Sequence, residues 1–320
     1  RSCWGASNNA DVYILKGQGP QTFQAPFTYH GFRYVEISGM ESAENLVDIA
    51  AMMISDQIPV TAELETSDPR LNKLWNALIA TYQSCMKSAM ADVADRDERW
   101  GWMGDCQTTH AQSMAYLFDI APYYRKRCLD LKDDQDDKGY FPPKSPAMAG
   151  GGPSAIWSDG ALTMAWAAWL NYADKRLLSE IYPAMREYVW MLKAKYENEA
   201  PLWPGHFGDW LSSQVTIRPD AKDWQDRGPA QIPKHILQRL TLIHDARLME
   251  RFAEVLGQEE DATEMAAFTK KLMADPVIRG LRNKAPATGA QSAYALSLGW
   301  DAALSSETEA LVNRMVAAIE

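Results

Sequence analysis

The sequence is poor in the features that would settle its class cheaply. It has 4 Cys and 5 His in 320 residues. Cys3, Cys85, Cys106 and Cys128 lie far apart with no CxxC pair, so neither a disulfide framework nor a zinc knuckle is expected. Cys85 and Cys128 read as small apolar fillers on helices. His30, His110, His206, His235 and His244 show no HExxH spacing, and no metal or other cofactor is expected. Positive charge is also in deficit: 32 Lys and Arg face 42 Asp and Glu, a formal net charge of -10. That argues against electrostatic capture of nucleic acid or an anionic bilayer. No apolar run approaches the roughly 18 residues of a membrane span. The N-terminus, Arg1-Ser2-Cys3-Trp4-Gly5, is not a signal peptide and does not begin with Met. The chain is therefore expected to start partway through a longer product. Its compartment stays open, with cytoplasm or periplasm favoured over membrane, and its oligomeric state is equally open.

What is present is a large apolar and aromatic fraction, 47% hydrophobic with 12 Trp, enough for packed cores. Residues 1–40 read as strands. Val12-Tyr13-Ile14-Leu15 is β-rich, and Phe32-Arg33-Tyr34-Val35-Glu36-Ile37 alternates with period two. So few strands cannot stand alone, and they are expected to be the tail of an upstream β-sandwich, followed by a linker over 41–66. From about 67 the pattern turns helical, with Asp68-Pro69 as a start signal. Further helical runs are expected near 106–119, 121–133, 157–173, 175–196, 234–256, 259–275, 289–299 and 306–320. Long connections around Gly150-Gly151-Gly152-Pro153 and from Pro201 to Gln231 alternate with short ones. Paired helices joined this way suit an α/α toroid over 67–320.

One segment concentrates chemistry. Asp92 to Asp105 holds five acids, two Arg, two Trp and two Gly in fourteen residues. A solvated charge run has no reason to interleave indoles. A sugar pocket does: carboxylates and Arg bind vicinal hydroxyls, and indole faces stack on the apolar face of a pyranose. Glycoside hydrolysis needs one carboxylic acid to protonate the leaving oxygen and a second carboxylate on the opposite side. Trp157-Ser158-Asp159 and Phe207-Gly208-Asp209-Trp210 place further Trp and acid pairs beside helix junctions. Asp159 alone reads equally as a helix cap. Asp133-Asp134-Gln135-Asp136-Asp137-Lys138-Gly139 fails the ligand spacing of a calcium loop and reads as a solvated turn.

The segment Asp92–Asp105 resembles the D-x-x-x-R-D-E-R-x-G-W-x-G-D signature of the bacterial α-L-rhamnosidases, glycoside hydrolase family 78. Phe27 to Val35, Gln135 to Pro142, Trp157-Ser158-Asp159 and Phe207 to Trp210 follow in that family's order. The resemblance implies a mainly α fold, an (α/α)6 barrel preceded by β-domain strands and incomplete at the C-terminus. It implies release of terminal α-L-rhamnose from rhamnose-containing glycosides by an inverting acid/base mechanism. Glu98 would be the general acid. Asp92, Arg96 and Asp105 would hold rhamnose hydroxyls, and Trp102, Trp157 and Trp210 would line the pocket. Trp100 stands where the family usually has an aliphatic residue, and Asp92-Val93-Ala94-Asp95 replaces the usual cysteine-proline form. The family's general base, a later Glu, has no counterpart before Glu320, so the isolated chain is expected to turn over poorly or not at all. Two alternatives remain: an (α/α)6 hydrolase for another sugar, and a non-catalytic carbohydrate-binding fragment. An α-solenoid is disfavoured, since no repeat of 30 to 45 residues is visible.

Overall fold

A computed structural model describes residues 10–94, 98–106, 111–147, 152–205, 207–209, 232–283, 291–300, 302–303 and 305–319. They fall into two compact units, one within residues 1–101 and one within 102–320.

In the first unit, α1 (Pro69–Cys85) starts where the sequence signals it. The Asp68 side chain accepts the Arg70 N–H, and Pro69 occupies the first turn, where its missing donor costs nothing. A two-stranded hairpin follows, β1 (Met86–Lys87) paired antiparallel with β2 (Ala89–Met90). Its turn residue Ser88 has φ 64°, and its N–H donates to Asp56 Oδ2 at 2.7 Å. The strands expected over 12–15 and 32–37 are not formed. No described residue pairs with either run, and Val12, Ile14 and Tyr34 are exposed. β-propensity needs a neighbouring ladder to become a strand.

The second unit is helical. α2 (Met103–Asp105) and α3 (Met114–Leu117) are short. Of the helix expected over 106–119, the described residues show turns at 111–113 and then α3; residues 107–110 lie outside them. α4 (Ala121–Asp133), α5 (Gly160–Tyr172), α6 (Lys175–Glu197), α7 (Lys234–Leu256) and α8 (Glu259–Met273) match the periodic runs. α9 (Pro276–Asn283), α10 (Gln291–Gly299) and α11 (Thr308–Ile319) complete the described helices. α4 packs on α5, α5 on α6, α6 on α7, α7 on α8 and α10 on α11. Two-residue links, Ala173-Asp174 and Gly257-Gln258, return the chain between successive helices. Both begin with a left-handed residue, Ala173 at φ 49° and Gly257 at φ 75°. No described helix is long and apolar enough to cross a membrane.

The core of this unit lies along α4 to α8, where Leu131, Ile181, Leu192, Leu240, Phe252 and Leu272 are buried. Cys106 and Cys128 are buried too, and burial pushes their thiols up to about 11 and about 12. That agrees with a filler role for Cys128; Cys85 is likewise buried in the first unit. The acidic cluster at 133–139 shapes turns. Asp136 Oδ1 accepts the Lys138 and Tyr140 N–H groups, and Asp134 Oδ2 accepts the Ser145 hydroxyl and the Ala147 N–H.

Candidate active site

The residues singled out above divide between the two units. Asp92 and Glu98 belong to the first. Asp92 closes its loop on both sides: its N–H donates to Trp100 O at 2.9 Å, and its Oδ1 accepts the Trp100 N–H at 2.9 Å. These bonds tie residues 92 and 100 together and hold Glu98, half-buried, on the loop they close. Arg99, at φ 52°, packs over the Tyr29 ring, 4.8 Å from its centroid, and donates to the Tyr29 carbonyl. Lys87 covers the same ring at 4.2 Å. Burial raises the Tyr29 phenol and lowers the Lys87 ammonium. Arg96 lies outside the described residues.

The second unit carries the aromatic part. Trp102 and Phe207 meet edge to face, with centroids 5.3 Å apart. Phe207 and Trp157 meet at 5.1 Å. Phe207 is therefore the link between two indoles that stand 55 positions apart in the chain. Trp102 is half-buried and is the more open; Trp157 is 7% exposed. Trp210 lies outside the described residues. Asp105, on α2, is exposed.

Backbone contacts hold the row in place. The Phe207 N–H donates to Ser154 Oγ at 3.1 Å, and the Gly205 N–H to Pro153 O at 2.8 Å. They lace the 152–159 turn to the segment after Trp203. A Cβ on Gly104 would lie 2.3 Å from Trp157 Cε2, and one on Gly160 would lie 2.6 Å from Met103 Cε. Only glycine permits this approach of α2 to the start of α5. Under Trp102, the buried Lys144 ammonium sits 4.7 Å from the ring centroid, and residues 102 and 144 form a β-bridge.

The acids of this unit are placed differently from expectation. Asp159 precedes α5, but its side chain caps no N–H of that helix; it is buried. Asp209 Oδ2 accepts the Ser292 hydroxyl at 2.8 Å and the Ile232 N–H at 3.3 Å. The sequence reading missed Phe207 as the linking ring because Trp210, three residues on, drew the assignment. It missed Lys144 because a lone Lys after two prolines carries no signal. The described residues contain no group of three or more His, Cys, Asp or Glu able to hold a metal ion.

Chemically, a row of two indoles joined by a phenyl ring, one pair edge to face and the other tilted, offers an apolar platform. That suits the C–H face of a sugar. The alpha-L-rhamnosidase of Streptomyces avermitilis is 30% identical over 97% of this chain and 28% of that protein. That of Alteromonas sp. is 25% identical over 98% of this chain and 34% of that protein. The chain thus spans about a third or less of the length of these curated relatives. Among solved structures, Streptomyces avermitilis alpha-L-rhamnosidase complexed with L-rhamnose superposes with a TM-score of 0.70 at 28% identity, covering 82% of this chain and 24% of that one. The native alpha-L-rhamnosidase of Aspergillus terreus shares the fold, with a TM-score of 0.67 at 21% identity over 82% of this chain and 30% of that one. The bacterial alpha-L-rhamnosidase concanavalin-like domain matches residues 5–55. The bacterial alpha-L-rhamnosidase 6 hairpin glycosidase domain matches residues 59–320, and the chain belongs to that family.

Proposed function

We propose that the chain carries the acid-bearing and aromatic part of a site that releases terminal α-L-rhamnose from rhamnose-containing glycosides. The observation that carries the reading is the Trp102–Phe207–Trp157 row, which begins four residues after Glu98 in the chain. A relative solved with L-rhamnose, at 28% identity, supports the choice of sugar.

In this reading Glu98 protonates the leaving glycosidic oxygen as general acid. Asp92, Arg96 and Asp105 bind hydroxyls, and Trp102, Trp157 and Trp210 form the walls. Asp92 does so while holding the loop closed through Oδ1. Inversion requires a second carboxylate to activate water, roughly 6.5–9.5 Å from the acid. Asp209 is a poor choice for it, because Ser292 and Ile232 already draw on its Oδ2. We assign that role to no acid of this chain. Residues 1–40 are assigned to a β-domain, 41–66 to a linker and 67–320 to the barrel.

Two measurements test this. L-rhamnose is expected to quench the tryptophan fluorescence of the chain saturably, while D-glucose and L-arabinose at equal concentration do not. An equal response to all three removes the assignment and favours a barrel for another sugar. In the full-length protein, Glu98→Gln is expected to lower kcat on an aryl α-L-rhamnoside by about 10²–10⁴-fold with little change in KM. A raised KM at unchanged kcat would make Glu98 a binding residue in a non-catalytic module.

A further inference from the structure

Trp102 and Lys144 face each other across an antiparallel β-bridge. Residues directly opposite in such a pairing send their side chains to the same side, within reach of one another. Here the encounter puts the Lys144 ammonium 4.7 Å from the centroid of the indole ring. Next to the bridge the Met103 N–H donates to Pro143 O at 2.9 Å, so the two backbones are bonded there as well. Lys144 is 1% exposed, and among the described residues it is the one buried lysine. Taking an ammonium out of water is costly, and an apolar side chain of similar length fills such a space without that cost. What the ammonium adds is the ability to hold an electron-rich ring by its face.

The strap that carries Lys144 is itself fixed on α4 and the residue that follows it. Ser145 O accepts from Arg127 Nη2 at 2.9 Å. The Ser145 hydroxyl and the Ala147 N–H both donate to Asp134 Oδ2 at 2.8 Å. Arg127 has no exposed surface, and its Nη1 also donates to Asp130 Oδ2 at 3.1 Å. The ammonium is therefore presented to the ring from a bonded support. Phe207 meets the same indole at 5.3 Å, so Trp102 is held between a cation from the 143–147 strap and a ring from the segment after Trp203.

We propose that Lys144 is a positioning residue for the sugar platform, its ammonium occupying one face of the Trp102 indole and setting the orientation at which that ring meets a bound pyranose. It acts through Trp102, and no bond to substrate is made or broken by it. The consequence for sugar binding rests on the proposed function above; the contact between cation and ring does not.

Two measurements decide it. In the wild-type chain labelled with ¹³C-lysine, the Lys144 ε-methylene signal, assigned through bonds from its own backbone, is expected upfield of that of the exposed Lys138, displaced by the Trp102 ring current. A Lys144 signal at the Lys138 position overturns the inference even if every variant misfolds. Lys144→Met keeps the length of the side chain without its charge, whereas Lys144→Arg keeps a cation able to lie on the ring. In the full-length protein, Lys144→Met is expected to raise KM for an aryl α-L-rhamnoside about tenfold with kcat within about twofold. Lys144→Arg is expected to keep KM within about threefold of the wild type. An unchanged KM in Lys144→Met overturns the inference, and so does an equal rise in both variants, which would reduce Lys144 to a matter of packing. A displaced Lys144 signal in a wild type that gives no saturable response to L-rhamnose instead overturns the proposed function and leaves the contact standing.

Discussion

Trp157 owes its position to an atom that is missing. Gly104 has no Cβ, and one placed there would press into the indole at 2.3 Å. The ring cannot retreat, because Phe207 packs against it and its own turn is laced to Gly205 through Pro153. Gly104→Ala is therefore expected to cost about 1–3 kcal/mol through overpacking. It should also change the near-ultraviolet circular dichroism of the tryptophans and weaken the rhamnose-induced quench. Unaltered thermal midpoint and unaltered spectra would show that the α2 contact does not set the ring. Asp159 teaches a related lesson. An acid just before a helix reads as a cap, yet here its side chain caps no N–H of α5 and is buried instead.

The helices follow local rules closely, and two of them can be compared directly. α5 and α7 both end in a left-handed residue that lets the chain turn into the next helix. α7 uses Gly257 at φ 75°, and α5 uses Ala173 at φ 49°. The left-handed region costs a residue with a Cβ about 1 kcal/mol or somewhat more. Gly257→Ala is expected to lower the urea midpoint by the equivalent of about 1 kcal/mol. Ala173→Gly is expected to raise it by less, about 0.5 kcal/mol, since glycine also loosens the unfolded chain. Equal and same-signed shifts would contradict the account. The expected 106–119 helix also belongs here. The Cys106 N–H donates to Trp102 O, and the Ala111 N–H returns to Cys106 O, five residues back, a π-type rather than an α-type bond.

Across the molecule, two titratable groups on adjacent positions of α7 act on stability in opposite directions. His244 stacks on Trp300 with centroids 4.5 Å apart and ties α7 to the end of α10. Burial, then the nearby Arg251 charge, push its imidazole down to about 3 from 6.5. The unfolded chain therefore takes up a proton that the folded one refuses. Stability is full above pH 6.5 and is lost as pH falls from there towards about 3, at about 1.4 kcal/mol per pH unit. Asp245 has the opposite sign. Its raised carboxyl favours the fold while protonated, and that contribution fades as the pH rises through its folded value. His244→Phe keeps an aromatic ring against Trp300 and cannot titrate. Its thermal midpoint is expected to fall less than that of the wild type between pH 7 and pH 5. Parallel curves would show that another group governs the acid limb.

The long helices α4 to α8 could be read from consecutive residues, because an apolar face repeating every three to four positions is local information. The acid and indole segment 92–105 stands out in the sequence for a similar reason: its acids, Arg and Trp fall within fourteen consecutive positions. The failures share a different cause. Residues 12–15 and 32–37 have strand-like composition, but a strand exists only when another segment supplies its ladder, and none of the described residues does. Phe207 joining Trp102 to Trp157 and Gly104 making room for an indole are contacts between positions 50 or more apart. No periodicity encodes such encounters. They arise only when helices pack, because burial and close approach depend on which side chains the completed fold brings face to face.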